Sequence, residues 1–187
     1  MYKLLIAVAA IAALAVPVIA MRSMDSGLKP GESVTPFHPS HVAGPLAGTK
    51  NCFPCTFQAR PAVQVWVNGE SDENVIAIAK SLQTNIDTHK GAEFKAMIVM
   101  VGMSTDCKMC NAHLAKIAEK SGVKDVAFAV IGKDDESISK YKINLDKEVK
   151  TTMIAYKDWK VQANMVNVPA GEKGCGMICD TISKLVK

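Results

Sequence analysis

An α/β fold is what the sequence predicts: a mostly parallel sheet, helices on both faces, and a closing antiparallel hairpin. Three observations carry this reading. FKAMIVMVG (94–102) and VAFAVIG (126–132) are nearly unbroken apolar runs, as strands buried on both faces are. Strand-like and helix-like segments alternate from residue 61 onward. TTMIAYKDWKVQANMVNV (151–168) has a polar break near Asp158 and reads as two strands folded back on each other.

The elements follow in order. PAVQVWVN (61–68) alternates, with Val63, Val65 and Val67 on one face. SDENVIAIAKSLQTNIDTHK (71–90) is a helix that Ser71 or Asp72 can cap. Its Val75, Ile78, Ala79, Leu82 and Ile86 form one apolar stripe, and His89 sits in the last turn, where a cation suits the helix dipole. After the 94–102 strand comes a helix over 104–122, opened by Thr105 or Asp106. The 126–132 strand leads to a short helix over ESISKYKI (136–143), the hairpin, and a last helix containing CDTISKLVK.

Two segments precede this domain of 61–187. Residues 1–20 carry one early Lys and an apolar run too short to span a membrane, with small residues before Met21. They read as a signal peptide cut after Ala20, with an uncleaved anchor as the alternative. Residues 21–60, rich in Pro and Gly, read as an irregular arm. Export implies an oxidising periplasmic or extracellular setting.

Composition excludes several classes. The net charge of +4 is spread along the chain, and no basic run is interleaved with aromatics, which argues against nucleic acid. No nucleotide loop, Ser-His-Asp set, glycosidase carboxylate pair or haem-attachment motif occurs, and no cofactor is implied. A membrane would be a partner only through an uncleaved leader.

Six cysteines fall in three local pairs: Cys52/Cys55, Cys107/Cys110 and Cys175/Cys179. A disulfide closing a four-residue loop stabilises by only about 2 kcal/mol. Such pairs are weak staples, which favours chemistry for at least one of them. Cys107 and Cys110 lie where a strand ends and a helix begins. With Leu114 and Ile117 they share one stripe, Cys110 a turn deeper than Cys107. Unpaired backbone N–H groups and the helix dipole favour a thiolate at Cys107. Lys108 adds positive charge, and Asp106 opposes it.

Over VMVGMSTDCKMCNAHLAKIAEKSG and on through VKTTMIAYKDWKVQANMVN, the chain resembles the thioredoxin family. LKPGESVTPFHPSHVAG resembles the opening of redoxins and peroxiredoxins. The resemblance implies a thioredoxin-like fold and thiol–disulfide exchange, with Cys107 as nucleophile, Cys110 resolving, and protein thiols or disulfides as partners. It also sets Thr151 where the family holds a cis-proline, and Val101 where it holds a buried carboxylate. A second register remains open. If PAVQVWVN is the family's central strand, the usual cysteine site falls at NGESDE (68–73), which has no Cys.

The other cysteines keep several readings. Cys52/Cys55, in NCFPC, would tether the arm, relay electrons to Cys107/Cys110, or bind metal. Cys175 and Cys179 stand at i and i+4, too far apart to bridge within a regular helix unless that helix begins late, as Gly174 and Gly176 suggest. Met100, Met103, Cys107, Met109, Cys110 and His113 together suit soft Cu(I), so metal transfer is the second functional reading. A non-catalytic interaction module with structural disulfides is the third. His38 and His41, as HPSH in the arm, read as a solvated loop pair, with metal binding as the alternative.

Overall fold

The computed structural model describes residues 24–187; the leader expected over 1–20 lies outside them. Six strands form one sheet: β1 (Ser40–Ala43), β2 (Ala62–Val67), β3 (Lys95–Gly102), β4 (Val126–Gly132), β5 (Thr151–Lys157) and β6 (Lys160–Val166). Their spatial order is β1-β4-β3-β2-β5-β6. β2, β3 and β4 run parallel, while β1, β5 and β6 are added antiparallel at the two sides. The parallel part is therefore the three-stranded centre.

Among the described residues, five α-helices accompany the sheet: α1 (Phe53–Phe57), α2 (Asp72–Thr88), α3 (Lys108–Ser121), α4 (Glu136–Lys140) and α5 (Gly171–Leu185). Strand side chains alternate between two cores. Val63, Val65, Ile98, Phe128 and Val130 pack with Leu82 of α2, Leu114 of α3 and Ile178 of α5. Trp66, Met97, Val99, Ala129 and Ile131 face the other way, against Phe53 of α1 and Ile138 of α4. Helices thus cover both faces, the three long ones on one side. Ser71 caps α2 by accepting the Asn74 N–H, and Asp72 and Glu73 complement the positive helix end. The hairpin turns at Asp158 and Trp159, whose φ values of 52° and 64° give the left-handed turn that matches strand twist.

Regular structure starts earlier than the sequence predicts. The segment read as an irregular arm contributes β1 and α1, and it buries Leu28, Val34, Phe37 and Leu46 in the second core. β1 pairs with β4 through His41 opposite Ala129. The chain then turns at Gly44, where φ is +81° and a Cβ would sit 2.1 Å from the Val126 carbonyl oxygen. Upstream, Ser33 bridges Lys160, and Asn164 Nδ2 donates to the carbonyls of Ser26 and Leu28, each at 2.9 Å. Those contacts cover the exposed edge of β6.

The histidines part company here. His38 is exposed, but His41 is buried at 3 % exposure. Its Nε2–H donates to the Asn51 carbonyl at 2.9 Å, and its Nδ1 has no partner. Burial pushes its pKa below the ordinary 6.5. Below about pH 6.5 the unfolded chain gains a proton that the folded chain refuses, so stability falls with falling pH. The contribution is at most about 1.4 kcal/mol per pH unit, and it ends once folded His41 protonates. Urea unfolding at pH 7.5 and 5.5 should show a smaller difference for His41→Gln than for the parent.

Candidate functional site

β3 ends at Gly102 and the chain crosses to α3 through residues 103–107. The cap of α3 is Cys107 itself, not Thr105 or Asp106: its sulfur accepts the Cys110 N–H at 3.2 Å. Thr105 instead accepts the Gly132 N–H on its hydroxyl at 3.0 Å, pinning the loop to β4. Gly102 and Gly132 are register partners at the ends of β3 and β4. A Cβ on Gly102 would lie 3.0 Å from Cys110 Sγ, and one on Gly132 would lie 3.0 Å from Thr105 N. This pair of glycines is the floor on which the loop and Cys110 rest.

Cys107 and Cys110 are joined as a disulfide, with Cα atoms 5.3 Å apart. Both are half-buried, and Cys110 packs against the first core. Cys110 also lines a shallow cavity of ≈ 420 Å³ with Asn68, Val101, Gly102, Met103, Lys133 and Leu145. That cavity opens at the carboxyl ends of β2 and β3, where α/β sheets place their ligands. A larger hollow of ≈ 660 Å³ lies beside Lys157, Lys160 and Leu185, but no cysteine lines it.

The charges around the pair are arranged by other segments. Lys50 Nζ lies 2.8 Å from an Asp106 carboxylate oxygen. Both groups are exposed, so the contact adds little stability. Its local effect is to offset the negative charge next to Cys107. Lys108 and Lys133 are exposed at the same end of the sheet. His113 Nε2 lies 3.0 Å from Asp72 Oδ1, tying α3 to the start of α2. Met103 and Met109 are 65 % and 73 % exposed and form an apolar rim. Met100, by contrast, packs on the core. Of the six residues grouped as soft-metal ligands, the structure thus sets Met103 and Met109 at the surface by the disulfide and directs His113 to a carboxylate. Among the described residues no cluster of three His, Cys, Asp or Glu could hold a metal ion.

The NCFPC pair is built differently. Cys52 and Cys55 are also a disulfide, with Cα atoms 5.2 Å apart. Cys52 caps α1 and is buried at 6 %, while Cys55 is exposed. A helix does stand behind this pair, which the sequence reading does not foresee, but it has only five residues and offers little dipole. α1 packs on the second core and α3 on the first. The Lys50–Asp106 ion pair links the two segments, yet the sheet stands between their helices.

Cys175 and Cys179 are free thiols. α5 begins at Gly171, ahead of both, so they sit one turn apart in a regular helix and the bridged reading fails. Gly174 marks no late start. A Cβ there would meet the Pro169 carbonyl oxygen at 1.8 Å, so glycine is required for close packing of the helix on its own approach.

No family model matches the sequence, and no curated protein matches it. Solved structures do. The thioredoxin domain of a thiol-disulfide oxidoreductase from Bacteroides vulgatus superposes with a TM-score of 0.60 at 16 % identity, covering 86 % of this chain and 99 % of that one. The fold is thioredoxin-like. A thiol peroxidase from Chromobacterium violaceum (TM-score 0.55, 12 % identity, 86 % and 87 % covered) and Arabidopsis thaliana ScoI with copper bound (0.55, 8 %, 83 % and 98 %) share it.

Within this thioredoxin-like fold, the strand register decides between the two alignments. Thr151 pairs with Val67, and the Asn68 N–H donates to the Lys150 carbonyl at 2.8 Å. The start of the hairpin therefore faces the turn after β2, residues 68–71, and not the CKMC loop. β2 is one of the two middle strands and the one that pairs with the hairpin, as expected of the register with PAVQVWVN as the central strand. Cys107/Cys110 stand one strand over, at the next strand-to-helix junction, and Cys110 shares its cavity with Asn68.

Proposed function

We propose that the chain is an exported thiol–disulfide exchange protein whose working pair is Cys107 and Cys110, displaced by one βα unit within a thioredoxin-like fold. The observation that carries this is the capping geometry. Cys107 Sγ receives a backbone N–H at the head of the fourteen-residue helix α3 and is half-exposed, and its disulfide partner Cys110 lines a cavity. A thiolate there gains from the helix end and from the neighbouring lysines.

In the reduced protein, Cys107 thiolate attacks one sulfur of a substrate disulfide. The S–S bond breaks, and the other substrate sulfur leaves as a thiolate that takes a proton from water. Cys110 then loses its proton to solvent and attacks Cys107 Sγ. This releases the second substrate thiol and closes the Cys107–Cys110 disulfide, so two electrons have passed to the substrate. Met103 and Met109 offer apolar contact to a polypeptide substrate beside the sulfurs. Cys52/Cys55, with its inner sulfur buried and its helix on the other face, acts as a tether of the amino-terminal segment.

The test is a trap. Reduced Cys110→Ser, challenged with a disulfide-bonded protein, should accumulate a mixed disulfide between Cys107 and that protein, resolved by mass mapping. No adduct, or an adduct on Cys55, contradicts the assignment. Soft-metal transfer at the same cysteines is the second reading, favoured by the exposure of Met103 and Met109. It predicts Cu(I) uptake by the reduced protein that Cys107→Ser and Met109→Leu both weaken.

A further inference from the structure

The third cysteine pair is unused by the exchange chemistry, and buried polar side chains of α2 stand beside it within an otherwise apolar seam. Cys175 and Cys179 lie on the flank of α5 that meets α2. Opposite them, α2 presents Asn74, Ser81 and Asn85, spaced i, i+7 and i+11 and at most 7 % exposed. Asn85 Nδ2 donates to Cys179 Sγ at 3.3 Å and is fixed by a second bond to the Ser81 carbonyl at 2.8 Å. Ser81 Oγ stands 4.0 Å from the same sulfur. Asn74 shares a small crevice with Cys175. Its amide nitrogen donates to the Val168 carbonyl at 3.2 Å, but its carbonyl oxygen, in a residue only 5 % exposed, has no partner. Burying amides between two helices costs free energy unless each group is satisfied. The fold leaves one acceptor unmet beside a free thiol.

From this arrangement we infer that Cys175 and Cys179 form a second site, separate from Cys107/Cys110, for one soft monovalent cation of the Cu(I) type. Residues at i and i+4 of a helix hold their Cβ atoms about 5–6 Å apart, beyond the roughly 3.5–4.5 Å a disulfide needs. The regular helix therefore keeps the thiols from bridging. Side-chain rotation can still bring the sulfurs to about 4.6 Å, twice a metal–thiolate bond of about 2.3 Å. That separation suits linear two-thiolate coordination of a soft cation. Zinc would need four donors, and no third His, Cys, Asp or Glu joins the pair among the described residues. On binding, two S–H bonds lose their protons to solvent, two metal–sulfur bonds form, and the ion keeps its oxidation state. Asn85 keeps its amide N–H on the Cys179 thiolate and so steadies that ligand.

The experiment uses the full chain purified without reductant, so that the other two pairs stay disulfides and cannot ligate. Cu(I) is supplied anaerobically from a chromogenic chelator. The expected result is one ion per chain, with both free thiols protected from maleimide. Cys175→Ser and Cys179→Ser should each weaken binding at least 100-fold, Asn85→Leu about 10-fold, and Cys52→Ser/Cys55→Ser not at all. Maleimide protection in the unsubstituted protein keeps the test decisive if a variant fails to fold. No uptake by the oxidised protein, uptake that survives Cys179→Ser, or a Cys175–Cys179 disulfide in the native chain would overturn the inference. None of these outcomes bears on Cys107.

Discussion

Cys107→Ser should lower disulfide-reductase turnover by at least about a thousand-fold while leaving the thermal unfolding midpoint close to that of the reduced parent protein. A serine hydroxyl does not ionise near neutral pH, so the nucleophile is lost while its size is kept. The cap survives, because a serine oxygen accepts the residue-110 N–H as well as sulfur does. Fold and activity therefore separate in this variant. Replacing both Cys52 and Cys55 by Ser should leave most turnover, since their helix packs across the sheet from α3. Equal losses in the two variants would restore an electron relay between the pairs.

Phe37→Ala should destabilise the chain by about 3–5 kcal/mol, measured by denaturant unfolding. Phe37 is 3 % exposed, stacks on Trp66 with ring centroids 5.2 Å apart, and meets the Tyr141 ring edge-on at 5.2 Å. Tyr141 in turn donates its hydroxyl to the Thr35 carbonyl at 2.6 Å, and its burial raises its pKa to about 12. Three aromatics from three distant parts of the chain thus meet under the sheet. Truncating Phe37 loses their contact area and leaves a cavity that rigid strands cannot close. Phe37→Leu should cost less than half as much, because it keeps more of the volume. A loss under about 1 kcal/mol for Phe37→Ala would mean that residues 24–57 are a detachable arm.

That second case shows where the sequence is legible. β3 and β4 are readable as apolar runs because both their faces are buried. The hairpin is readable because its polar break falls at one place. Residues 24–57 are not, since their anchors Leu28, Val34, Phe37 and Leu46 are single apolar residues set among Pro and Gly, with no period to detect. They are held by non-local partners, such as Val161 for Gly31 and Trp159 for Val34. The cap of α3 is misplaced for a related reason: Thr105 and Asp106 are the usual capping types, yet Thr105 is taken by Gly132 and Asp106 by Lys50. Both partners are distant in sequence. Register follows the same logic. The CKMC stretch carries the better local likeness to a thioredoxin site, while the pairing of Val67 with Thr151 links residues more than eighty apart.

The candidate site was half readable. The strand-to-helix junction at Cys107 and the deeper setting of Cys110 follow from apolar spacing. The glycine floor of Gly102 and Gly132, the exposed rim of Met103 and Met109, and the Asp72–His113 link depend on which strands are neighbours. Gly102 and Gly132 do each end an apolar run, which is the one local sign of a close approach above the sheet.

The most direct test of the account is a redox titration of each cysteine pair, by mass-mapped thiol labelling across a series of glutathione potentials. An exchange site at Cys107/Cys110 predicts a midpoint above about −250 mV for that pair, with Cys52/Cys55 markedly more resistant to reduction. If Cys107/Cys110 stays oxidised below about −300 mV, as structural disulfides do, the pair is a staple and the proposed function is contradicted.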